Sequence, residues 1–446
     1  MSELLVRNAE RILASGPSWE AVRGDLLVRD GRVVAIGGDL RDRASDGARV
    51  LHASGLTVMP GLVQTHVHVC QTLFRGFAED RPLLPWLRER IWPFEAAHDP
   101  DSLRASAELS VLELLLGGTT TILDMGTTHH HGVVFESFEA AGIRAVSGKA
   151  MMDEGDGVPV GLLETTLDSL RESFDLAEKW HGAAGGRLRY AFAPRFVLSC
   201  SDVLFREVVA LAKERYLLHT HASESRDESA AVSELKGCRN VEYLDRVGFL
   251  GKGTLLAHCI WLEDEEIEAI ARSGTKVLHC PQTNLKLGSG MAPVRRLLDA
   301  GVSVSIGCDG APANNTLDAF AEMRVAAHVG TLLTGPASLR ARDVLTMATL
   351  GGAAALCWDD EIGSLEPGKA ADFIAVDLNT PHAAPTEDPV TALVYSARAS
   401  DVRHVAVAGE LLVEDGVPVT LRPDDVIGRA RAECAKVRER AKGGCA

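Results

Sequence analysis

Eight apolar runs recur along the middle of this 446-residue chain, at 62–66, 119–124, 144–152, 188–194, 216–221, 254–258, 275–279 and 302–309. Helix-like segments lie between them, among them 101–116, 202–213, 264–273 and 293–300. Short runs that stay apolar throughout belong to strands buried on both faces, as in parallel sheets covered by crossover helices. Eight such strands with intervening helices are what a closed barrel needs. A doubly wound sheet is the competing arrangement, yet no G-x-G-x-x-G follows any of the runs. The chain is therefore read as an α/β protein with a (β/α)8 TIM-type barrel over 60–364.

The two ends read differently. Segments 5–8, 25–29 and 32–36 are rich in strand formers, with Asp30-Gly31 as a hairpin turn between the last two. Segments 371–377 and 402–412 share that character, with Gly409 and Gly416 at turns. Residues 1–59 and 365–446 are expected to build one small β-sandwich domain from both termini. The charged stretch 423–442 is predicted to form a surface helix.

Charge narrows the partners. The 46 Lys and Arg against 62 Asp and Glu give a net charge of −16, which argues against nucleic acid and anionic membranes. The longest apolar runs, such as 111–116, fall far short of the ~20 residues that cross a bilayer. The opening stretch MSELLVRNAERILASG lacks the basic, apolar and small-residue segments of a secretory leader. Nine scattered cysteines without a C-x-x-C pair read as reduced thiols. A cytoplasmic protein acting on a small molecule is the expectation.

Chemistry gathers at the strand ends. The first run ends Thr65-His66-Val67-His68, and a period of two puts both imidazoles on one side of a strand. The fifth ends His219-Thr220-His221-Ala222-Ser223-Glu224, the sixth Ala257-His258, and the eighth Gly307-Cys308-Asp309-Gly310. In a barrel these carboxyl ends converge on one mouth. Three histidines and an aspartate arriving there suit a catalytic divalent ion with room for water. Singly, each has a plainer reading: His258 as a satisfied core histidine, Asp309 as a helix cap. Spacing alone leaves either His219 or His221 as the third imidazole.

The run Pro60-Gly61-Leu62-Val63-Gln64-Thr65-His66-Val67-His68, with His221-x-x-Glu224, His258 and Asp309-Gly310, resembles the amidohydrolase superfamily. It is most similar to the mononuclear branch of adenosine-type, cytosine and guanine deaminases and triazine hydrolases. Thr72-Leu73-Phe74-Arg75-Gly76, His279-Cys280-Pro281, Asn284-Leu285-Lys286-Leu287 and the stretch 363–372 extend the likeness almost end to end. The resemblance implies a metal-holding barrel flanked by a sandwich, and it places the acid three residues past the ligand, which selects His221. It further implies His66, His68, His221 and Asp309 around one divalent ion per subunit, Zn2+ with Fe2+ as the alternative. By the same likeness Glu224 shuttles a proton to a ring nitrogen, Asp309 takes the water's proton, and His258 steadies the oxyanion. A homodimer or homotetramer is expected as well. Ring-opening amidohydrolases, the enzymatic alternative, carry a carboxylated lysine at the end of strand four. Here that strand ends Ala193-Pro194-Arg195-Phe196, leaving Lys149 as the only loose candidate. A protein that merely binds metal has no need of an acid at Glu224.

The loop 70–80 and the residues Trp86-Leu87 and Trp92-Pro93-Phe94-Glu95 are similar to deaminases of S-adenosylhomocysteine, 5'-methylthioadenosine and 5'-deoxyadenosine. There the glutamate matching Glu95 grips ribose hydroxyls, a task for an acceptor-only carboxylate. Arg195 departs from many of that group, which carry histidine. Together with Gln71 it resembles guanine deaminases, where arginine binds the purine carbonyl and glutamine reads the amide edge. The substrate-contact set is thus Gln71, Trp86, Glu95, Arg195 and His258. A 5'-modified adenosine leads; guanine or another oxo-purine, a pterin, or an aminotriazine is the alternative. The plain structural readings are core packing for Trp86 and pairing of Arg195 with Glu224 or Asp153. His129-His130-His131 is read as a loop with one pocket-facing histidine at most.

Overall fold

The computed structural model describes residues 2–16, 18–212 and 215–443. Eight parallel strands pair in sequence order: Leu62–Val67, Thr119–Met125, Arg144–Gly148, Leu188–Pro194, Leu217–Ala222, Thr254–His258, Lys276–His279 and Val304–Ile306. A backbone bridge between Val67 and Asp309 returns the last strand to the first, closing the barrel. Side chains alternate across its wall. Val63, Leu123, Val146, Leu255 and Leu278 fill the interior, while Leu62, Ile122, Ala145, Leu256 and Val277 pack outward against the helices. Trp358 joins the interior cluster and, with Arg144 and Arg189 stacked on its ring, closes the end where the strands begin.

Three of the expected strands are shorter than their apolar runs, the one at 275–279 by a single residue. The run at 144–152 divides into Arg144–Gly148 and Ala150–Met151, and the ammonium of Lys149 between them pairs with Glu164 and Glu172. The run at 302–309 is regular strand only over Val304–Ile306; beyond it the Gly307 N–H still donates to the His279 carbonyl and Asp309 bridges Val67. Helices occupy Pro100–Leu116, Asp202–Ala212, Asp264–Ser273 and Val294–Asp299, close to the predicted spans; Lys213 lies outside the described residues. Asp99 caps the first of them, with Pro100 at its opening position.

Both ends of the chain contribute to a second, mostly antiparallel sheet. Its order is Val417–Pro418, Glu410–Glu414, Val402–Val407, Phe373–Asp377, Leu56–Pro60, Glu3–Leu13, Ala21–Arg29, Arg32–Ile36, with Arg49–His52 also paired to Glu3–Leu13. Asp30 and Gly31, at φ 48° and 76°, form the expected hairpin turn. Leu4, Val28 and Val33 from one half share an apolar cluster with Phe373, Ala406 and Leu411 from the other. A buried ion pair, Arg144 with Asp372 at 2.8 Å, ties this sheet to the third barrel strand. The C-terminal helix, Pro423–Gly443, is more than a surface appendage. Its Ala430 and Val437 are buried against Leu73 and Phe74, so it backs the 3-10 turn Val69–Phe74 that carries Gln71.

Candidate active site

At the carboxyl ends of the first, fifth, sixth and eighth strands the structure brings together His66, His68, His221, Glu224, His258 and Asp309. Strand contact makes this possible. The Asp309 N–H donates to the His66 carbonyl at 2.9 Å, and a Cβ at Gly307 would lie 2.6 Å from the His66 nitrogen, so a side chain there would prise the strands apart. Ser223, His258 and Asp309 all have left-handed backbones (φ 54°, 72° and 62°). Such conformations cost about 1–3 kcal/mol each and persist where the surroundings fix a functional geometry.

The ring nitrogens can be assigned from their partners. His68 Nδ1–H donates to the Met125 carbonyl at 2.8 Å, and His221 Nδ1–H donates to the Arg195 carbonyl at 2.8 Å. Burial pulls the His66 and His221 pKa values well below the ordinary range and lowers that of His68. Neutral imidazole has one N–H, so the Nε2 atoms of His68 and His221 face each other as lone pairs, 3.2 Å apart. Asp309 Oδ1 stands 3.3 Å from His68 Nε2 and 3.6 Å from His66 Nε2, and His66 Nε2 is buried with no hydrogen-bond partner. His68 Nε2, His221 Nε2 and Asp309 Oδ1 converge as acceptors, joined by His66 Nε2 when that ring's proton sits on Nδ1, an arrangement that repels itself unless a cation lies between. Three imidazoles and a carboxylate fit a divalent ion such as zinc. His219 is not among the four; its Nε2 lies 2.9 Å from His66 Nδ1, on the far side of that ring.

Beside this cluster Glu224 is 5 % exposed. Burial pushes its carboxyl up to about 7, opposed by His258 and aided by Asp309. A group with that pKa both gives and takes protons near neutrality. His258 Nε2 lies 3.5 Å from Glu224 Oε2 and 3.8 Å from Asp309 Oδ2, and its Nδ1 bonds Asn284 Oδ1 at 3.0 Å. The Glu224 N–H donates to Glu228 Oε2 at 3.0 Å. Asn284 and Glu228 were missed as supports of the site: their spacing marks a helix face, and the contact is made only in the fold.

A cavity of about 20 Å3 adjoins these groups, with Gln71, Leu83, Trp86, Arg195 and Phe196 in its wall. Arg195 pairs with Glu95, at 2.6 and 3.3 Å, instead of with Glu224 or Asp153. Glu95 reaches it from the helix Trp92–Ala96, whereas the Asp153 oxygens are taken by Ser201 and Thr166. Gln71 Nε2 also donates to Glu95 Oε1, at 2.9 Å. Gln71 Oε1 and Trp86 Nε1 are buried without partners, and Trp86 packs with Leu83, Leu87 and Phe196. Of the three adjacent histidines, His131 is buried and bonds Ser147 at 2.9 Å, and none lines the cavity. Lys149, held by its two glutamates, stands apart from the cluster.

The amidohydrolase family matches residues 57–412. A 5'-deoxyadenosine deaminase of Methanothermobacter thermautotrophicus is 41% identical over 434 residues, spanning 96% of this chain and 99% of that protein. A 5-methylthioadenosine/S-adenosylhomocysteine deaminase of Haloarcula marismortui is 41% identical over 447 residues, spanning 99% and 100%. Among solved structures, an adenosine deaminase from Xanthomonas campestris with bound zinc superposes with a TM-score of 0.92 at 31% identity, covering 98% of this chain and 99% of that one. With a closed barrel, an acceptor cluster at its mouth and a family match across most of its length, the chain belongs to the amidohydrolase family.

Proposed function

We propose that this chain is a metal-dependent aminohydrolase that removes the exocyclic amino group of a 5'-modified adenosine, releasing ammonia and the inosine analogue. Candidate substrates are 5'-deoxyadenosine, S-adenosylhomocysteine and methylthioadenosine, a class supported by the names of its relatives. One observation carries the chemistry: Glu224, buried with a carboxyl pKa of about 7, stands 3.5 Å from His258 beside converging lone pairs.

His66, His68, His221 and Asp309 would hold one divalent ion, Zn2+ or Fe2+, which supplies an acidified water as nucleophile. Asp309, whose Oδ2 lies 3.8 Å from His258 Nε2, would take up the proton shed by the nucleophile. Glu224, protonated, donates to the ring nitrogen beside the reacting carbon and makes that carbon electrophilic. His258, whose Nδ1–H is taken by Asn284 Oδ1, would donate from Nε2 to the oxygen that gathers negative charge only with that nitrogen protonated as well. The proton taken by Asp309 would pass to the amine, the C–N bond breaks and ammonia leaves, and the proton on the new C–OH oxygen returns to Glu224 as the carbonyl forms. Arg195 and Gln71 fix the Glu95 carboxylate, the acceptor for ribose hydroxyls, while Trp86 covers the base.

A space of about 20 Å3 holds little more than a water. A nucleoside needs more room, which Leu83 and Trp86 in the wall would give by moving outward, and the π-turn Leu87–Ile91 that follows is a form frequent at functional sites. Guanine or another oxo-purine, a pterin, or an aminotriazine is the second reading, favoured by Arg195 and the unpartnered Gln71 Oε1 in the cavity wall.

The same proposal includes a homodimer or homotetramer acting in the cytoplasm on a small molecule, without nucleic acid or membrane. The eight described cysteines are free thiols, six of them buried, which supports a reducing setting. No helix among the described residues is long and apolar enough to cross a membrane. Ammonia release by the purified, metal-loaded protein from 5'-deoxyadenosine, S-adenosylhomocysteine, adenosine, guanine and melamine tests the reading. The highest kcat/KM on a 5'-modified adenosine supports it, preference for guanine or melamine moves it to the second, and no ammonia from any rejects an aminohydrolase.

A further inference from the structure

We infer that His219 is a positioning residue that fixes which nitrogen of His66 faces the metal site. The inference rests on reading His66 as a metal ligand. His66 Nδ1 and His219 Nε2 are 2.9 Å apart, both rings are fully buried, and their planes cross at 89°. Two nitrogens at that distance share one proton, because two lone pairs or two N–H groups facing each other repel. When His66 carries the proton on Nδ1, its Nε2 presents a lone pair to the cluster, the form that a cation takes. When His219 carries it on Nε2, His66 keeps its single proton on Nε2 and turns an N–H toward the ligand position. The productive state therefore requires His219 to accept from His66 and to hold its own proton on Nδ1.

The other two imidazoles of the cluster need no such help. His68 and His221 donate from Nδ1 to the Met125 and Arg195 carbonyls, which only accept. Their tautomers are set by the main chain. For His66 the acceptor is a side chain, and it is a neutral imidazole in place of the carboxylate or carbonyl usual behind a metal-bound histidine. It aims the ring without adding negative charge.

A purely structural role accounts poorly for this residue. His219 Nδ1 is buried without a partner, and an orphaned polar group in a barrel interior is a net cost that an apolar side chain would avoid. Strand geometry puts His219 two residues before His221 on Leu217–Ala222, so both rings face inward.

Two variants separate the roles: His219→Leu, which removes the acceptor, and His219→Gln, which keeps one. Metal retention by the purified holoprotein is measured against a chelator of known affinity, beside thermal unfolding of the metal-stripped forms. The expected result is about a 10–100-fold weaker metal affinity for the Leu variant, a far smaller loss for the Gln variant, and metal-stripped melting temperatures no lower than wild type. A Leu variant that holds metal as tightly as wild type overturns the inference. So does an equal loss in both variants accompanied by a collapse of the metal-stripped fold. Wild-type protein that holds no metal at all overturns the ligand reading of His66 itself, and this inference with it.

Discussion

Arg195, in the cavity wall, and Glu95 behind it, a hundred residues apart in the chain, pair through charged groups 2.6 Å apart, and neither side chain is more than 4 % exposed. Breaking a buried pair by removing one partner leaves a charge without compensation and costs about 3–5 kcal/mol. Arg195→Ala and Glu95→Ala are therefore each expected to lower the melting temperature sharply and raise KM for the nucleoside. The double variant recovers part of the stability and none of the KM. Thermal unfolding and steady-state kinetics on the four proteins check this, and strictly additive stability losses would contradict it.

Glu224→Gln keeps the shape of the side chain and removes its titrating proton. The variant is expected to retain its metal and lose about 10²–10⁴-fold in kcat, the usual contribution of a positioned acid or base. Ammonia release and metal content measured on the same preparation separate this from damage to the ligand cluster. Near-normal turnover with Gln at 224 would remove Glu224 from the proton path.

Much of this was legible in the sequence. Parallel strands buried on both faces leave unbroken apolar runs, so the eight barrel strands stand out, and alternation put His66 with His68 and His219 with His221 on common faces. Periodicity gives a face and a depth but no partner across the fold. It left His219 and His221 equivalent, and only the fold turns one toward the cluster and the other onto the back of His66. The Arg195–Glu95 pair was invisible for the same reason, since a short helix over the barrel mouth brings Glu95 across. Strand ends were the weakest feature: the run at 302–309 gives no sign that regular pairing stops at Ile306 or that Asp309 takes a left-handed backbone.

Glu322 extends the account to stability. Its carboxylate accepts from Gln282 Nε2 (2.8 Å), the Gln282 N–H (3.2 Å) and Asn314, beneath the loop that carries Asp309. Burial pushes its pKa from 4.5 up to about 8. Between those values the folded chain holds a proton that the unfolded chain releases, so this group's contribution to stability falls as pH rises from about 5 to 8. Glu322→Gln cancels that dependence. Urea unfolding across this range should show the variant gaining on wild type as pH rises, by up to about a few kcal/mol. A gap that does not change with pH would contradict the assignment.

Opening of the cavity predicts a mobile cover. Amides of Leu83–Trp86 and Leu87–Ile91 should exchange hydrogen faster than those of Pro100–Leu116 in the free enzyme. They should slow when a non-hydrolysed nucleoside analogue binds. Exchange read by mass spectrometry checks this, and protection unchanged by the analogue would mean that substrate enters by another route.

His66, His68, His221 and Asp309 are proposed to enclose one divalent ion on which turnover depends. Metal quantification on active protein, before and after chelation and after reloading, tests it most directly. The expected result is one divalent equivalent per chain, activity lost in step with its removal, and recovery when zinc or iron is restored. Full turnover by a metal-stripped preparation would contradict it.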